Sequence, residues 1–155
     1  MGRIAKETAK RAYALGMNII YTCRSGEKKD VPADWKFVSQ EEIIKTADYI
    51  SLHVPAPADK KPIFTKEVFE MMKPTAFLVN TARGVLIDEE ALCDALDNGT
   101  IAGAALDVFC EEPTKNERLY KHPKVSITPH IGGSTKEAQG RIGEEIVDII
   151  TGFFK

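Results

Sequence analysis

The sequence predicts an α/β fold: a Rossmann-like, doubly wound parallel sheet between helices, in three α/β/α layers. Three observations predict it. Short apolar runs of strand length alternate with segments of helical periodicity along the whole chain. The runs are nearly continuous in apolar residues, as strands covered on both faces must be. Many of the intervals between runs are long enough for the crossover that parallel pairing requires.

The elements follow in order. Residues 3–15 read as a helix, with Ile4, Ala5, Ala9, Ala12 and Leu15 spaced for one buried face and Gly16 as its stop. Residues 18–22 and 35–38 read as short strands. Ser39 stands three residues before Glu42 at capping-box spacing and starts a helix through 46. Residues 48–54 read as a strand, 65–72 as a helix and 76–80 as a strand. Asp88 caps a helix to residue 97, and 102–108 and 125–128 complete the strands. Ser134 and Glu137 form a second capping box, opening a helix to 150 whose face is Ala138, Ile142, Ile146 and Ile149. Segments 55–62 and 111–124 are the longest loops, and both follow strand ends.

Bulk properties exclude several function classes. The 155 residues are 43% hydrophobic and 28% charged, ordinary for one globular domain. A formal net charge of −2 gives no basic field for nucleic acid or a membrane surface. No apolar run approaches the roughly 20 residues of a membrane span, and without an apolar N-terminal segment and cleavage site secretion is not expected. Cys23, Cys93 and Cys110 are odd in number and widely spaced, giving neither a zinc ligand set nor a disulfide framework. A cytoplasmic protein without a metal site is expected.

The chain opens on half of a motif. Dinucleotide-binding domains carry Gly-x-Gly-x-x-Gly (or Ala) between first strand and first helix. Gly2, Arg3, Ile4 and Ala5 supply the second half of it. Gly2 allows close backbone approach to a pyrophosphate, and the N–H groups of Arg3 and Ile4 open a helix whose positive end favours anions. About 20 residues on, where a ribose-reading carboxylate is expected, the chain has Cys23, Arg24 and Ser25. A carboxylate would repel a 2′-phosphate, whereas an arginine flanked by hydroxyls attracts one. This strand end favours NADP over NAD.

Four further segments carry a specific resemblance. They are Leu52-His53-Val54-Pro55, Asn80-Thr81-Ala82-Arg83-Gly84, Ala105-Leu106-Asp107-Val108-Phe109 with Glu112-Pro113, and Thr128-Pro129-His130-Ile131-Gly132. In this order and spacing the chain resembles the D-isomer-specific 2-hydroxyacid dehydrogenase family, which includes phosphoglycerate dehydrogenases and glyoxylate/hydroxypyruvate reductases. The resemblance implies an NAD(P)-dependent oxidoreductase with Arg83, Glu112 and His130 in its active site. It implies a cofactor cleft lined by His53, Val54, Pro55, Thr81, Ala82, Arg83, Asp107, His130, Ile131, Gly132 and Gly133. It also implies a small 2-hydroxy or 2-keto acid as substrate and a homodimer as assembly.

The residue types suit that chemistry. A planar guanidinium can hold a carboxylate bidentately. Hydride delivery to a keto carbon builds charge on oxygen, which an imidazole can neutralise with a proton, and a carboxylate on the other ring nitrogen fixes the tautomer. Plainer roles exist for each: Arg83 could pair with Asp88, Glu112 could be a solvated loop residue, and Asp107 could brace a loop. His122, in a Lys-His-Pro turn, reads as non-catalytic.

Relative to the family pattern, the sequence lacks a preceding substrate-binding region and the first strand of the dinucleotide domain. In the usual order that strand lies at the sheet centre, between 18–22 and 48–54. Residues 1–155 are thus expected to be a dinucleotide-binding domain short of one central strand, poorly stable and weakly active alone. The same resemblance leaves two alternatives: a non-catalytic, dinucleotide-sensing regulatory protein, or an inactive truncated product.

Overall fold

The computed structural model describes residues 1–154. Its elements are α1 (Arg3–Ala14), β1 (Ile20–Tyr21), β2 (Lys36–Phe37), α2 (Gln40–Thr46), β3 (Tyr49–Leu52) and α3 (Lys66–Glu70). They continue with β4 (Phe77–Asn80), a single 3-10 turn at Gly84–Leu86, α4 (Glu89–Asp97), β5 (Gly103–Leu106), α5 (Glu117–Tyr120), β6 (Val125–Ile127) and α6 (Lys136–Phe153). Side chains start four of the helices: Ser39, Asp88, Asn116 and Thr135 each accept a first-turn N–H, which satisfies a donor that would otherwise have no partner.

Every strand pair is parallel. Strands β3-β4-β5-β6 form one sheet in that order, and β1 pairs with β2 in a second. No pairing joins β1 to β3, so the sheet is interrupted at the position where the expected strand order leaves a gap. Within the larger sheet Leu52 pairs with Asn80, Asn80 with Leu106 and Leu106 with Ile127. The carboxyl ends of all four strands are therefore level, and their loops leave from one edge.

The core lies on one face of that sheet. Ile50, Leu52, Leu78, Ala104 and Leu106 pack with Ile44 of α2, Phe69 of α3, Leu92 and Leu96 of α4 and Leu119 of α5. Alternate residues point the other way, and there Tyr49 and Phe77 remain 56% and 38% exposed, their rings stacked 5.3 Å apart. A smaller cluster of Ala9, Tyr21 and Trp35 joins α1 to the β1–β2 pair. No described helix is long and apolar enough to cross a membrane.

Several expectations are corrected. The expected apolar face of α1 is buried only at Ala9, while Ile4 and Leu15 are 72% and 81% exposed; a helix needs a covering layer as well as a stripe. Likewise α6 has no buried residue, and Ile142, Ile146 and Ile149 face outward. Its cap is Thr135 rather than Ser134: the Thr135 hydroxyl accepts from the Ala138 N–H at 3.1 Å. The Ser134 N–H instead closes a turn on the Ile131 carbonyl. The expected 111–124 loop contains α5, started by Asn116. The strands are one to three residues shorter than the apolar runs that announced them, because pairing stops where the chain turns into the loops.

Candidate active site

The only buried polar or charged residues among those described are Asn80 and Asp107. They sit on neighbouring strands at the carboxyl edge, and the Asp107 N–H donates to the Asn80 carbonyl. Each holds the loop that follows a strand. The Asn80 amide donates to the Arg83 carbonyl at 2.9 Å and its oxygen accepts from the Ala82 N–H at 3.0 Å. This closes a tight 80–83 turn and presents Arg83 in extended backbone. The guanidinium is exposed and donates to the Ala82 carbonyl at 2.5 Å. Asp88 is occupied in capping α4 through the Ala91 N–H, so the alternative pairing of Arg83 with Asp88 is not formed.

Asp107 braces the second loop. One carboxylate oxygen accepts from the Thr128 hydroxyl at 2.5 Å and the Ile131 N–H at 2.9 Å; the other accepts from the Gly132 N–H at 2.9 Å. Burial alone would raise its pKa. The three bonds outweigh burial and hold it below its ordinary value. The loop so held carries His130 with φ 54°, a left-handed backbone unusual for a side chain of this size. The brace reading of Asp107 thus describes its observed contacts.

Glu112 meets His130 from the third loop. The His130 Nδ1 lies 2.7 Å from one Glu112 oxygen, and the other oxygen accepts from the Phe109 N–H at 3.0 Å. The hydrogen bond to His130 lowers the Glu112 pKa, and the Phe109 N–H adds to the effect. Glu112 is exposed, yet each of its oxygens has a protein partner. His130 Nε2 has no protein partner among the described residues.

Arg83, Glu112 and His130 line one cavity of about 320 Å³, together with Ala56, Lys60, Gly84, Val108 and Phe109. Gly84 makes that convergence possible. A Cβ on it would lie 1.9 Å from the Phe109 carbonyl carbon, so only glycine lets the Arg83 loop reach the Phe109–Glu112 loop. Glu89 ties the two as well, accepting from the Cys110 N–H at 2.7 Å.

The remaining candidates do not line this cavity. His53 follows β3, half-buried, with Nε2 2.9 Å from the Ser51 hydroxyl; burial pushes its imidazole below the usual range. Val54, Pro55, Thr81 and Gly133 are exposed beyond strand ends, and Ala82 is half-buried. Gly132 packs against Asp107. Gly2 caps α1, with Arg3 and Ile4 exposed in its first turn. Cys23, Arg24 and Ser25 form a turn after β1, where the Cys23 thiol donates to the Gly26 carbonyl. Lys28 adds its ammonium there, 2.8 Å from the Ser25 hydroxyl. His122 bonds Asp97 and accepts from the Lys124 N–H, a structural role.

Sequence reasoning missed Asn80, Gly84, Lys28 and Lys60 as site residues. Asn80 carried a signal, a polar side chain closing the apolar run Phe77–Val79. The lysines carried none, since charged loops are common.

The family pattern described as "D-isomer specific 2-hydroxyacid dehydrogenase, NAD binding domain" matches residues 1–132. The chain is 45% identical to D-3-phosphoglycerate dehydrogenase 2, chloroplastic, of Arabidopsis thaliana, over 99% of this chain and 25% of that protein. It is 41% identical to a glyoxylate reductase of Thermococcus litoralis, over 99% of this chain and 47% of that protein. Among solved structures, an NADPH-dependent glyoxylate/hydroxypyruvate reductase of Sinorhizobium meliloti, in complex with NADP and malonate, superposes with a TM-score of 0.89 at 32% identity. That match covers 99% of this chain and 48% of the other. The chain thus spans from a quarter to about half the length of these relatives. With its parallel sheet, its braced loops and these matches taken together, the chain belongs to the D-isomer-specific 2-hydroxyacid dehydrogenase family, through that family's NAD-binding domain.

Proposed function

We propose that the protein is an NAD(P)-dependent oxidoreductase interconverting a 2-keto acid and a D-2-hydroxy acid, with Arg83, Glu112 and His130 as its catalytic set. The observation that carries this reading is the 2.7 Å Glu112–His130 pair sharing a cavity wall with Arg83.

The residues present suit a dinucleotide. The first turn of the 12-residue α1 presents backbone N–H groups and has open space at Gly2, as a pyrophosphate requires. Arg24, Ser25 and Lys28 gather two cations and a hydroxyl after β1, a donor set that suits a 2′-phosphate and supports NADP over NAD. When bound, the nicotinamide supplies or accepts the hydride. Arg83 binds the substrate carboxylate and turns the keto carbon into position. Glu112, ionised at neutral pH, takes the Nδ1 proton of His130 as a hydrogen bond and fixes the ring. Nε2 then passes a proton to the keto oxygen, or removes one from the hydroxyl in the reverse direction. Val108 and Phe109, both buried, form the apolar part of the cavity wall.

Acids of the glyoxylate, hydroxypyruvate and 3-phosphoglycerate type are the substrates proposed. Purified protein is tested with NADPH and NADH against glyoxylate, hydroxypyruvate and phosphohydroxypyruvate, following nicotinamide absorbance. Oxidation of cofactor dependent on one of these acids is expected. Dinucleotide binding without turnover of any of them would instead support a regulatory protein.

A further inference from the structure

The loop that carries Glu112 hangs from the start of one helix. Glu89 and Glu90, neighbours in the first turn of α4, reach its two ends. A Glu89 oxygen accepts from the Cys110 N–H at 2.7 Å, just before Glu112 in the chain. A Glu90 oxygen accepts from the Asn116 side-chain amide at 2.9 Å, just after it. The helix is a firm support, because Leu92, Cys93 and Leu96 are fully buried in the core.

The two attachments are not equivalent. At the Asn116 end, Arg118 also donates to Asp94 at 2.7 Å and to Asp97 at 2.8 Å, and Leu119 is buried in the core. That end keeps its place without Glu90. At the other end, the Cys110 N–H has Glu89 as its one acceptor among the described residues. The preceding amide, of Phe109, donates to one Glu112 oxygen at 3.0 Å, while the other oxygen meets His130 Nδ1 at 2.7 Å. The peptide linking Phe109 to Cys110 also packs directly on Gly84. Displacing the Cys110 amide turns that peptide and takes the Glu112 anchor with it.

We infer that Glu89 is a positioning residue, whose reach to the Cys110 N–H sets the place of the Glu112 carboxylate and through it the His130 ring. This rests on the dehydrogenase reading above. Glu89 is half-buried and does not line the cavity, so it acts on the reaction through this loop. Reach matters more than charge here: the bond needs an acceptor at the right distance, and ionisation only strengthens it.

The test separates reach from charge in the full-length protein. It reads kcat and KM on whichever of glyoxylate, hydroxypyruvate and phosphohydroxypyruvate the wild type reduces. Glu89→Asp keeps an acid at the helix start but withdraws its oxygens by about 1.5 Å; Glu89→Gln keeps the reach and drops the charge. Glu89→Asp is expected to lower kcat by about ten- to a hundredfold, as a misplacement of about 1 Å does. KM for the acid and dinucleotide affinity should stay within about twofold. Glu89→Gln should stay within about threefold of wild type, and so should Glu90→Ala, the comparison at the other end. In a Glu112→Gln background, where the carboxylate to be placed is gone, Glu89→Asp should cost less than about threefold more. An unmoved kcat in Glu89→Asp overturns the inference, as does a loss in Glu89→Gln as deep as in Glu89→Asp. So does an undiminished loss in the Glu112→Gln background, or a loss carried by KM. A Glu89→Asp protein unfolded by circular dichroism makes Glu89 a structural residue and overturns it too. Failure of the wild type to reduce any of the three acids overturns the dehydrogenase reading and this inference with it.

Discussion

At the residue scale, Asp107 contributes most to the order of the site. Both of its oxygens are spent on the 128–132 loop, and its carboxyl sits below the ordinary 3.8. A depressed carboxyl contributes stability that is present above its unfolded pKa and lost as pH falls through the folded one. The Ile131 and Gly132 amide NMR signals should therefore hold their positions from pH 7 down to about pH 4 and move only below it. Movement between pH 7 and 5 would contradict the brace. On the proposed preference for NADP, Arg24→Ala should cut kcat/KM for NADPH by about tenfold or more, with little change for NADH. Equal loss for both cofactors would remove the case for NADP. Arg83, Glu112 and His130 were legible as candidates through the motifs that carry the family resemblance, and the chemistry accounts for their types without singling them out. Lys60 was not, because only the folded turn after β3 brings it to the same wall.

At the element scale, the site depends on loops that touch one another more than on the strands that launch them. Gly84→Ala would drive a methyl group into the Phe109 backbone, forcing the Arg83 and Glu112 loops apart. A loss of about 1–3 kcal/mol in urea unfolding is expected, together with loss of turnover. An unchanged midpoint would mean that the loops are not in the contact described. Helix starts were read correctly where one side chain decided them, at Ser39 and Asp88. At α6 two hydroxyls compete, and the choice of Thr135 over Ser134 follows from a turn between Ile131 and Ser134 that no local spacing reveals. The helix α5 escaped notice because one turn is too short for an apolar period to register.

At the scale of the whole molecule, the parallel sheet was legible from the alternation of strand and helix, since crossovers leave few other topologies. Burial was not. The stripe of α1 and the face of α6 are apolar in sequence yet exposed, with Ile149, Phe153 and Phe154 at 65%, 83% and 81%, and β1 does not pair with β3. Apolar surface on this scale, beside an interrupted sheet, predicts that residues 1–155 alone bind the dye ANS and melt with a low, broad transition. A sharp transition above about 60 °C without dye binding would contradict that.

In the proposed reaction His130, held by Glu112 beside Arg83, moves the proton of a keto-acid reduction. The most direct measurement pairs turnover with cofactor binding in His130→Ala, with glyoxylate as substrate and dinucleotide binding read by fluorescence. The expected result is a fall in kcat of about 10²–10⁴-fold with dinucleotide affinity largely retained. Turnover close to that of the unsubstituted protein would contradict the account.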